Sequence, residues 1–148
     1  MAFKNLDPAD CQQLVQNADY RYIDVRTPEE FSAGHPTGSL NVPYALIGPG
    51  GMMVNPQFLA VMQRLVTETN APLVVGCAAG GRSAKACTML AAAGYTDLVN
   101  VRTGFGGQRN DVGVLVDPGW ADAGLPVSVG DDDGSYDAIR RSLTHATE

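Results

Sequence analysis

Short apolar runs alternate along the chain with longer segments in which apolar residues recur every three or four positions. The first pattern predicts buried strands and the second predicts amphipathic helices. The clearest strand is the run Leu73, Val74 and Val75, because an apolar, β-branched stretch is typical of a parallel strand buried on both faces. The predicted strands are residues 21–25, 40–42, 73–75 and 98–101, and the predicted helices are residues 8–17, 28–33, 56–69, 83–93 and 118–123.

Strands that alternate with helices in this way indicate an α/β fold with a mostly parallel sheet and helices on both faces. The glycine-containing segments 47–54 and 102–117 show little periodicity and are predicted to be loops. In folds of this class, ligands bind beyond the carboxyl ends of the strands. The residues that follow the predicted strands are therefore the first place to look for chemistry.

Four of the predicted helices share a start signal, which is an Asx or Thr residue followed by proline. The side chain of the first residue can accept a hydrogen bond from a free amide, and proline suits the first helical position because it has no amide hydrogen to leave unpaired. Thr27 and Glu30 also have the spacing of a capping box. The four pairs are Asp7-Pro8, Thr27-Pro28, Asn55-Pro56 and Asp117-Pro118.

Composition narrows the function. The 148 residues are 45% hydrophobic and 18% charged, and the net charge is −6, which is typical of a soluble globular domain and does not favour nucleic-acid binding. No apolar run approaches the ~20 residues that a membrane helix needs, and the N-terminus has no signal-peptide core, so we expect a cytoplasmic protein. The three cysteines form no C-x-x-C pair, which argues against a zinc site or a disulfide framework. No cofactor is indicated.

Acidic residues are concentrated near the C-terminus. Residues 131–148 contain five acids and two arginines, and they follow a glycine at position 130. We therefore predict one domain over residues 1–130 and an acidic C-terminal extension over residues 131–148. A thin apolar stripe within the extension predicts a helix over residues 136–145.

The segment 73–94 combines several features that favour a reactive thiol. The predicted central strand ends just before Cys77, and a glycine turn leads to Ser83, which is predicted to cap the next helix. The amides of such a turn and the positive end of the helix dipole stabilise an anion at one point. Small neighbours, Ala78 and Ala79, are expected to leave the sulfur accessible, and Arg82 adds positive charge. The alternative is that Cys77 is an inert, buried apolar residue beside an ordinary turn.

Residues 77–82 (CAAGGR) resemble the active-site loop of the rhodanese family, C-x-x-G-x-R. Residues 22–31 (YIDVRTPEEF) and 34–43 (GHPTGSLNVP) are similar to two further motifs of that family, in the same order, and residues 123–127 (AGLPV) resemble its closing stretch. The resemblance covers approximately residues 5–128. It implies a rhodanese-like α/β fold with a central five-stranded, mostly parallel sheet.

The resemblance also implies a sulfurtransferase. Cys77 would take a sulfane sulfur from thiosulfate or a similar small anionic donor, hold it as a persulfide, and pass it to cyanide, a thiol or a thiol protein. Arg82 would hold the anionic donor, which we expect to be thiosulfate rather than the bulkier mercaptopyruvate. The backbone amides that would cradle the persulfide belong to Ala78, Ala79, Gly80, Gly81, Arg82 and Ser83.

Other polar and sulfur-containing residues have structural interpretations. His35 is expected to fix its own motif through a backbone partner, and Arg26 is expected to pair with Glu30 or with a backbone carbonyl. Lys85 either adds to the field near Cys77 or is a solvated surface residue. Cys87 is expected to pack rather than to relay sulfur. Core positions are predicted for Cys11 and Trp120, and the segment 106–116, with Arg109, is expected to shape the pocket mouth.

Two rival functions are weighed against sulfur transfer. A phosphatase or arsenate reductase on the same scaffold has five residues between the cysteine and the arginine, whereas only four separate Cys77 from Arg82 here. The shorter loop is better sized for one extra sulfur, which disfavours phosphatase activity. A catalytically inactive module that binds or regulates partners is the second rival, because a fold alone never establishes an activity. The presence of both Cys77 and Arg82 favours the enzyme.

Overall fold

The computed structural model describes residues 2–146, with side chains described as far as residue 144. The strands are β1 (Lys4–Leu6), β2 (Arg21–Asp24), β3 (His35–Pro36), β4 (Leu40–Asn41), β5 (Ala45–Gly48), β6 (Gly51–Val54), β7 (Leu73–Gly76), β8 (Leu98–Val101), β9 (Gln108–Arg109), β10 (Leu115–Asp117) and β11 (Val127–Ser128). The helices are α1 (Pro8–Asn17), α2 (Pro28–Ala33), α3 (Phe58–Leu65), α4 (Gly81–Ala92) and α5 (Tyr136–Ala146).

Five parallel strands form the central sheet in the order β1-β8-β7-β2-β4. The predicted fold class is therefore confirmed, and strand β7 lies in the middle of the sheet. Because the strands are parallel, their carboxyl ends meet at one edge. That edge carries the residues after β7, β2 and β4. They include residues 77–82, which we call the sulfur loop.

Alternate residues of the central strands face opposite sides of the sheet, as the two-residue period of a strand requires. Tyr22 and Val74 pack with Cys11 of α1 on one side. Ile23 and Val75 pack on the other side against the buried faces of α3, α4 and α5. Each central strand is thus covered on both faces, which explains its nearly unbroken apolar sequence.

Several predicted boundaries differ from the structure. Helix α3 begins at Phe58 and ends at Leu65, whereas the pattern predicted residues 56–69; Val66, the residue after it, is almost fully buried. The predicted helix over residues 118–123 is a turn, because Asp117 belongs to β10 and its carboxylate pairs with Arg102 rather than capping a helix. The predicted loop 47–54 overlaps the hairpin β5–β6, which begins at Ala45, and the predicted loop 102–117 contains the hairpin β9–β10.

The segment after residue 130 contributes to the hydrophobic core. Tyr136 and Ile139 of α5 are buried in the same apolar cluster as α3 and α4. Asp132 accepts a hydrogen bond from Nε2 of the buried His35 at 2.7 Å, and Nδ1 of that ring lies 2.8 Å from the carbonyl oxygen of Phe31. The helix predicted within the extension is present, residues 147–148 of the extension lie outside the described residues, and the domain boundary at 130 stays a prediction.

Among residues 2–146, no helix combines the length and the apolar character needed to cross a membrane. The helices that cover the sheet have at most twelve residues.

The His35–Asp132 contact generates a stability prediction. Asp132→Ala leaves a nitrogen of a fully buried ring without its partner, which is expected to cost about 1–3 kcal/mol of unfolding free energy. The matched control is Asp131→Ala, since that exposed neighbour makes no hydrogen bond or ion pair within residues 2–146. Urea denaturation monitored by circular dichroism measures both. Equal midpoints for the two variants would contradict the assignment.

Candidate active site

The end of the central strand places Cys77 at the carboxyl edge of the sheet. Strand β7 ends at Gly76, which pairs with Asp24 of β2, and helix α4 begins four residues after the cysteine, at Gly81. The helix therefore starts two residues earlier than predicted. Its N-cap is Gly80, in a left-handed conformation (φ 109°), and Ser83 lies within the first turn instead of capping it.

Two donors lie next to the Cys77 sulfur. The Gly80 amide donates to Sγ with an N–S distance of 3.1 Å, and the Ser83 hydroxyl lies 3.3 Å from Sγ and 3.2 Å from the Gly80 carbonyl oxygen. The first amides of a helix have no carbonyl partner within the helix, and the helix dipole places partial positive charge there. Sγ lies at that end of the twelve-residue helix α4. The loop thus presents hydrogen-bond donors and partial positive charge to the position of this sulfur.

The loop carbonyls are bound by a second segment, which follows β8. The Phe105 amide donates to the Cys77 carbonyl oxygen at 2.7 Å, and the Gly106 amide donates to that of Ala78 at 2.8 Å. Nε2 of Gln108 reaches the Ala79 carbonyl oxygen at 3.3 Å. Since these carbonyls are held towards the 105–108 segment, the loop is fixed with its oxygens in hydrogen bonds away from the sulfur.

Two glycines make this close approach possible. Both have positive φ angles, 109° at Gly80 and 65° at Gly104. A Cβ atom on Gly80 would lie 2.4 Å from the Arg102 carbonyl oxygen, and one on Gly104 would lie 2.6 Å from the Cys77 carbonyl oxygen. A side chain at either position would push the two segments apart. Gly104 was not among the predicted site residues, although the glycine-rich run 104–107 carried that signal.

The thiol is less accessible than the sequence predicted. Cys77 is only 2% exposed and belongs to the buried apolar cluster that also contains Ile23 and Val75. The Gly80 amide and the Ser83 hydroxyl face its sulfur within the loop. The expectation that Ala78 and Ala79 leave the sulfur open is therefore wrong. The outer surface of the loop is formed by Ala79 and Gly81, which are both exposed.

The guanidinium of Arg82 forms an ion pair with Glu30. Its two terminal nitrogens donate to the two carboxylate oxygens of Glu30, at 2.7 and 3.0 Å, whereas the resemblance implied that this guanidinium holds the anionic donor. Glu30 also accepts from the amide and hydroxyl of Thr27, so the predicted capping box of α2 is confirmed. The N-terminus of α2 is thereby connected directly to the sulfur loop.

The ion pair between Glu30 and Arg82 shifts the pKa of both groups. Burial alone would raise the pKa of Glu30, but the hydrogen bonds from Arg82 and Thr27, together with the charge of Arg82, outweigh it and lower the pKa from 4.5 to about 2. The same pair raises the pKa of the Arg82 guanidinium. Both groups are therefore charged throughout the physiological range, and the cation beside Cys77 is largely neutralised by its partner.

Arg26 makes one of the two contacts that were predicted for it. Its guanidinium pairs with Asp24 at 2.7 Å, donates to the Gly34 carbonyl oxygen at 2.7 Å, and lies 4.3 Å from the centroid of the Phe105 ring. The predicted bond to a backbone carbonyl is confirmed, and the alternative with Glu30 is wrong because Glu30 is engaged by Arg82. Arg26 thus connects the end of β2 to the segment that holds the sulfur loop.

The remaining sulfur atoms are unlike Cys77. Cys11 and Cys87 are fully buried, and burial raises the pKa of each thiol to about 12. For Cys87 the neighbouring Cys77 raises the pKa further. Both thiols are consequently protonated and sequestered near neutral pH, which agrees with their predicted packing roles.

The other singled-out residues lie outside the sulfur loop. Trp120 is buried and its Nε1 donates to the Pro126 carbonyl oxygen at 2.9 Å, while Lys85 is exposed. Arg109 donates to the Gly113 carbonyl oxygen within its own hairpin, so in the segment 106–116 it is Gly106 and Gln108 that contact the loop. Within residues 2–146 no group of three or more His, Cys, Asp or Glu side chains is arranged to hold a metal ion.

A cysteine set between a central parallel strand and a helix N-terminus, and faced by an amide donor, defines a class of α/β proteins with an anion-stabilising cysteine loop. The profile of the rhodanese-like domain family matches residues 7–110. The chain therefore belongs to the rhodanese-like domain family, as its motifs predicted.

Individual relatives agree with this assignment. Thiosulfate sulfurtransferase 16, chloroplastic, of Arabidopsis thaliana is 42% identical over 109 residues, which are 74% of this chain and 80% of the relative. Rhodanese-like domain-containing protein 15, chloroplastic, of the same plant is 42% identical over 94 residues, which are 64% of this chain and 50% of that protein, so this chain matches only half of its length. The crystal structure of Rv0390 from M. tuberculosis superimposes with a TM-score of 0.69 at 28% identity, covering 86% of this chain and 98% of that one.

The Glu30–Arg82 pair predicts how stability depends on pH. A folded-state pKa of about 2 against 4.5 means that the carboxylate contributes its full stabilisation above about pH 4.5 and loses it as the pH falls through 2. We therefore expect the wild-type unfolding free energy to fall more steeply between pH 4.5 and 2 than that of Glu30→Gln. The matched control is Glu29→Gln, which removes an exposed neighbouring charge. Parallel urea titrations test this, and identical slopes for the wild type and Glu30→Gln would refute it.

Proposed function

We propose that the protein is a sulfurtransferase that carries a sulfane sulfur on Cys77 as a persulfide, with thiosulfate or a similar small anion as the donor. The observation that carries the proposal is the Gly80 amide, 3.1 Å from the Cys77 sulfur at the N-terminus of α4. An amide fixed in that position stabilises negative charge on sulfur without reorganisation during the reaction.

The first half-reaction consumes the donor. The Cys77 thiolate attacks the outer sulfur of thiosulfate, a new S–S bond forms, and the bond between the two donor sulfurs breaks. Sulfite leaves with the electron pair of the broken bond, and Cys77 becomes a persulfide. No proton has to be transferred if the cysteine reacts as its thiolate, which suits a loop that offers hydrogen-bond donors to the sulfur.

The second half-reaction returns the cysteine. A thiophile, either cyanide or a thiolate, attacks the terminal persulfide sulfur and forms a bond to it. The Cys77–S bond breaks, and its electron pair returns to Cys77 as the thiolate. The Gly80 amide and the Ser83 hydroxyl, which already face Sγ, stabilise this leaving group.

The pairing of Arg82 restricts how the donor is held. Because both terminal nitrogens of Arg82 are engaged by Glu30, the oxyanion end of the donor depends mainly on the loop amides and the dipole of α4. The sulfur is buried, so we expect a donor to approach it from the side of the loop on which Ala79 and Gly81 are exposed. These constraints favour a small donor such as thiosulfate over mercaptopyruvate.

Mass spectrometry of the intact protein tests the proposal. After incubation with thiosulfate and removal of the excess, the wild type and Cys87→Ser are expected to gain one sulfur atom, and Cys77→Ser is expected to gain none. Ser83→Ala is expected to load about three- to tenfold more slowly, because one hydrogen bond to the reacting sulfur is lost.

Cyanide added to the loaded protein is expected to restore the original mass and release thiocyanate. A sulfur gain that persists in Cys77→Ser would contradict the proposal. So would a wild type that gains no sulfur from thiosulfate, a thiosulfonate or a cysteine persulfide, which would favour the non-catalytic module. Turnover of a phosphate ester without sulfur loading would favour a phosphatase instead.

A further inference from the structure

The face of the molecule formed by α2 and the start of α5 carries a cavity that the sulfur chemistry does not use. Its volume is about 360 Å³. Its walls include Pro28 and Phe31 of α2, and Tyr136 of α5. We call it the aspartate cavity, because four aspartates line it against a single arginine; these charged residues are Asp131, Asp132, Asp133, Asp137 and Arg141.

Three of the four carboxylates in the aspartate cavity have no hydrogen-bond or ion-pair partner among the described residues. Asp132 pairs with His35 and accepts from the Gly134 amide. In contrast, Asp131, Asp133 and Asp137 are exposed, and within residues 2–146 their carboxylates make no hydrogen bond or ion pair. Negative charge is therefore concentrated here without an internal cation that neutralises it fully.

An independent observation comes from the cavity wall. Asn41 is fully buried, and its amide nitrogen donates to the carbonyl oxygens of Asp24 and Arg26 at 2.9 Å each. Its other polar atom, Oδ1, is a buried acceptor without a hydrogen-bond partner, and Asn41 contributes to the lining of the aspartate cavity. A buried acceptor without a donor is uncommon in a folded protein, and a donor bound in the cavity would stabilise this one.

The chemistry of the missing occupant follows from these groups. Carboxylates and an amide oxygen accept hydrogen bonds and do not donate them, so the occupant must supply several N–H donors and positive charge. A metal ion is disfavoured, since within residues 2–146 no set of three such side chains converges on one point. A guanidinium, with its fork of donors, matches both carboxylate and amide acceptors.

The acidic surface extends beyond the aspartate cavity. A second, more open depression lies next to it and shares Pro28 and Asp131 with it. It adds the carboxylate of Glu29, which is exposed and unpaired within the described residues. A single small amine fills one depression, whereas an extended segment with two basic side chains spans both.

We propose that the aspartate cavity and its neighbouring depression bind an arginine-containing basic segment of a protein partner. The site is separate from Cys77, so sulfur loading can succeed where partner binding fails, and the reverse. Helix α2 connects the site to the loop, because it supplies both Pro28 of the cavity and Glu30, which pairs with Arg82.

The test is a titration of ¹⁵N-labelled full-length protein at low ionic strength with the peptide acetyl-Gly-Arg-Gly-Arg-Gly-amide. We expect saturable shifts of the Asn41 side-chain amide and of the backbone amides of residues 131–136. The Asn41 amide is the discriminating signal, since general attraction to an acidic surface does not perturb a fully buried group. The comparison peptide carries citrulline in place of both arginines and is expected not to bind.

Variants localise the effect. Asp131→Asn with Asp133→Asn is expected to weaken peptide binding about two- to tenfold, as the loss of two exposed ion pairs implies. The matched control, Asp10→Asn with Asp111→Asn, removes two exposed charges elsewhere and is expected to leave the affinity nearly unchanged. Arg141→Gln removes the cation in the cavity and is expected to strengthen binding.

Three results would overturn the proposal: equal binding of the citrulline peptide, equal weakening in the control pair, or unchanged Asn41 shifts at saturation. A fourth arm uses butylguanidinium alone. If it binds as tightly as the peptide, the site selects a free small cation and the protein partner is excluded.

Discussion

The amide of Gly80 lies 3.1 Å from the Cys77 sulfur, and a large part of the carboxyl edge of the sheet keeps it there. The left-handed conformation of Gly80 turns the chain into α4, and the Ser83 hydroxyl closes the other side of the sulfur. Behind the loop, Phe105 holds the Cys77 carbonyl oxygen, and the absence of a side chain at Gly104 allows that contact. The loop is therefore rigid because hydrogen bonds occupy its outward carbonyls, and a preorganised donor costs no reorganisation when charge develops on sulfur.

Helix α2 connects the sulfur loop to other parts of the domain. At its N-terminus, Glu30 completes a capping box with Thr27 and holds Arg82 beside the loop. At its C-terminal end, the Phe31 carbonyl oxygen faces Nδ1 of His35, whose Nε2 faces Asp132 of the segment after residue 130. One short helix thus joins the sulfur loop, the second motif and the C-terminal segment. Both ring nitrogens of His35 therefore lie within hydrogen-bond distance of an oxygen atom.

The sequence predicted the parts of the fold whose patterns are local. Strand β7 was predictable because Val74 and Val75 are buried on opposite faces, so its apolar run had no alternative explanation. The hairpin β5–β6 was missed because its apolar side chains, such as Met53 at 60% exposure, face solvent and produce no burial pattern. The position of Cys77 between a strand and a helix was predictable from local spacing, but the bond from Arg82 to Glu30 joins residues 52 positions apart and no local pattern reports it. The close contact at Gly104 is likewise a tertiary effect.

Two-dimensional ¹H–¹⁵N spectra recorded before and after thiosulfate loading test the central claim most directly. If the amide donors at the start of α4 hold the transferred sulfur, the Gly80 amide proton moves downfield on loading. The amides of Gly81 and Arg82 shift with it, and addition of cyanide reverses all three changes. A loaded protein in which these amides keep their positions, while the changes centre on Cys11 or Cys87, would contradict the account.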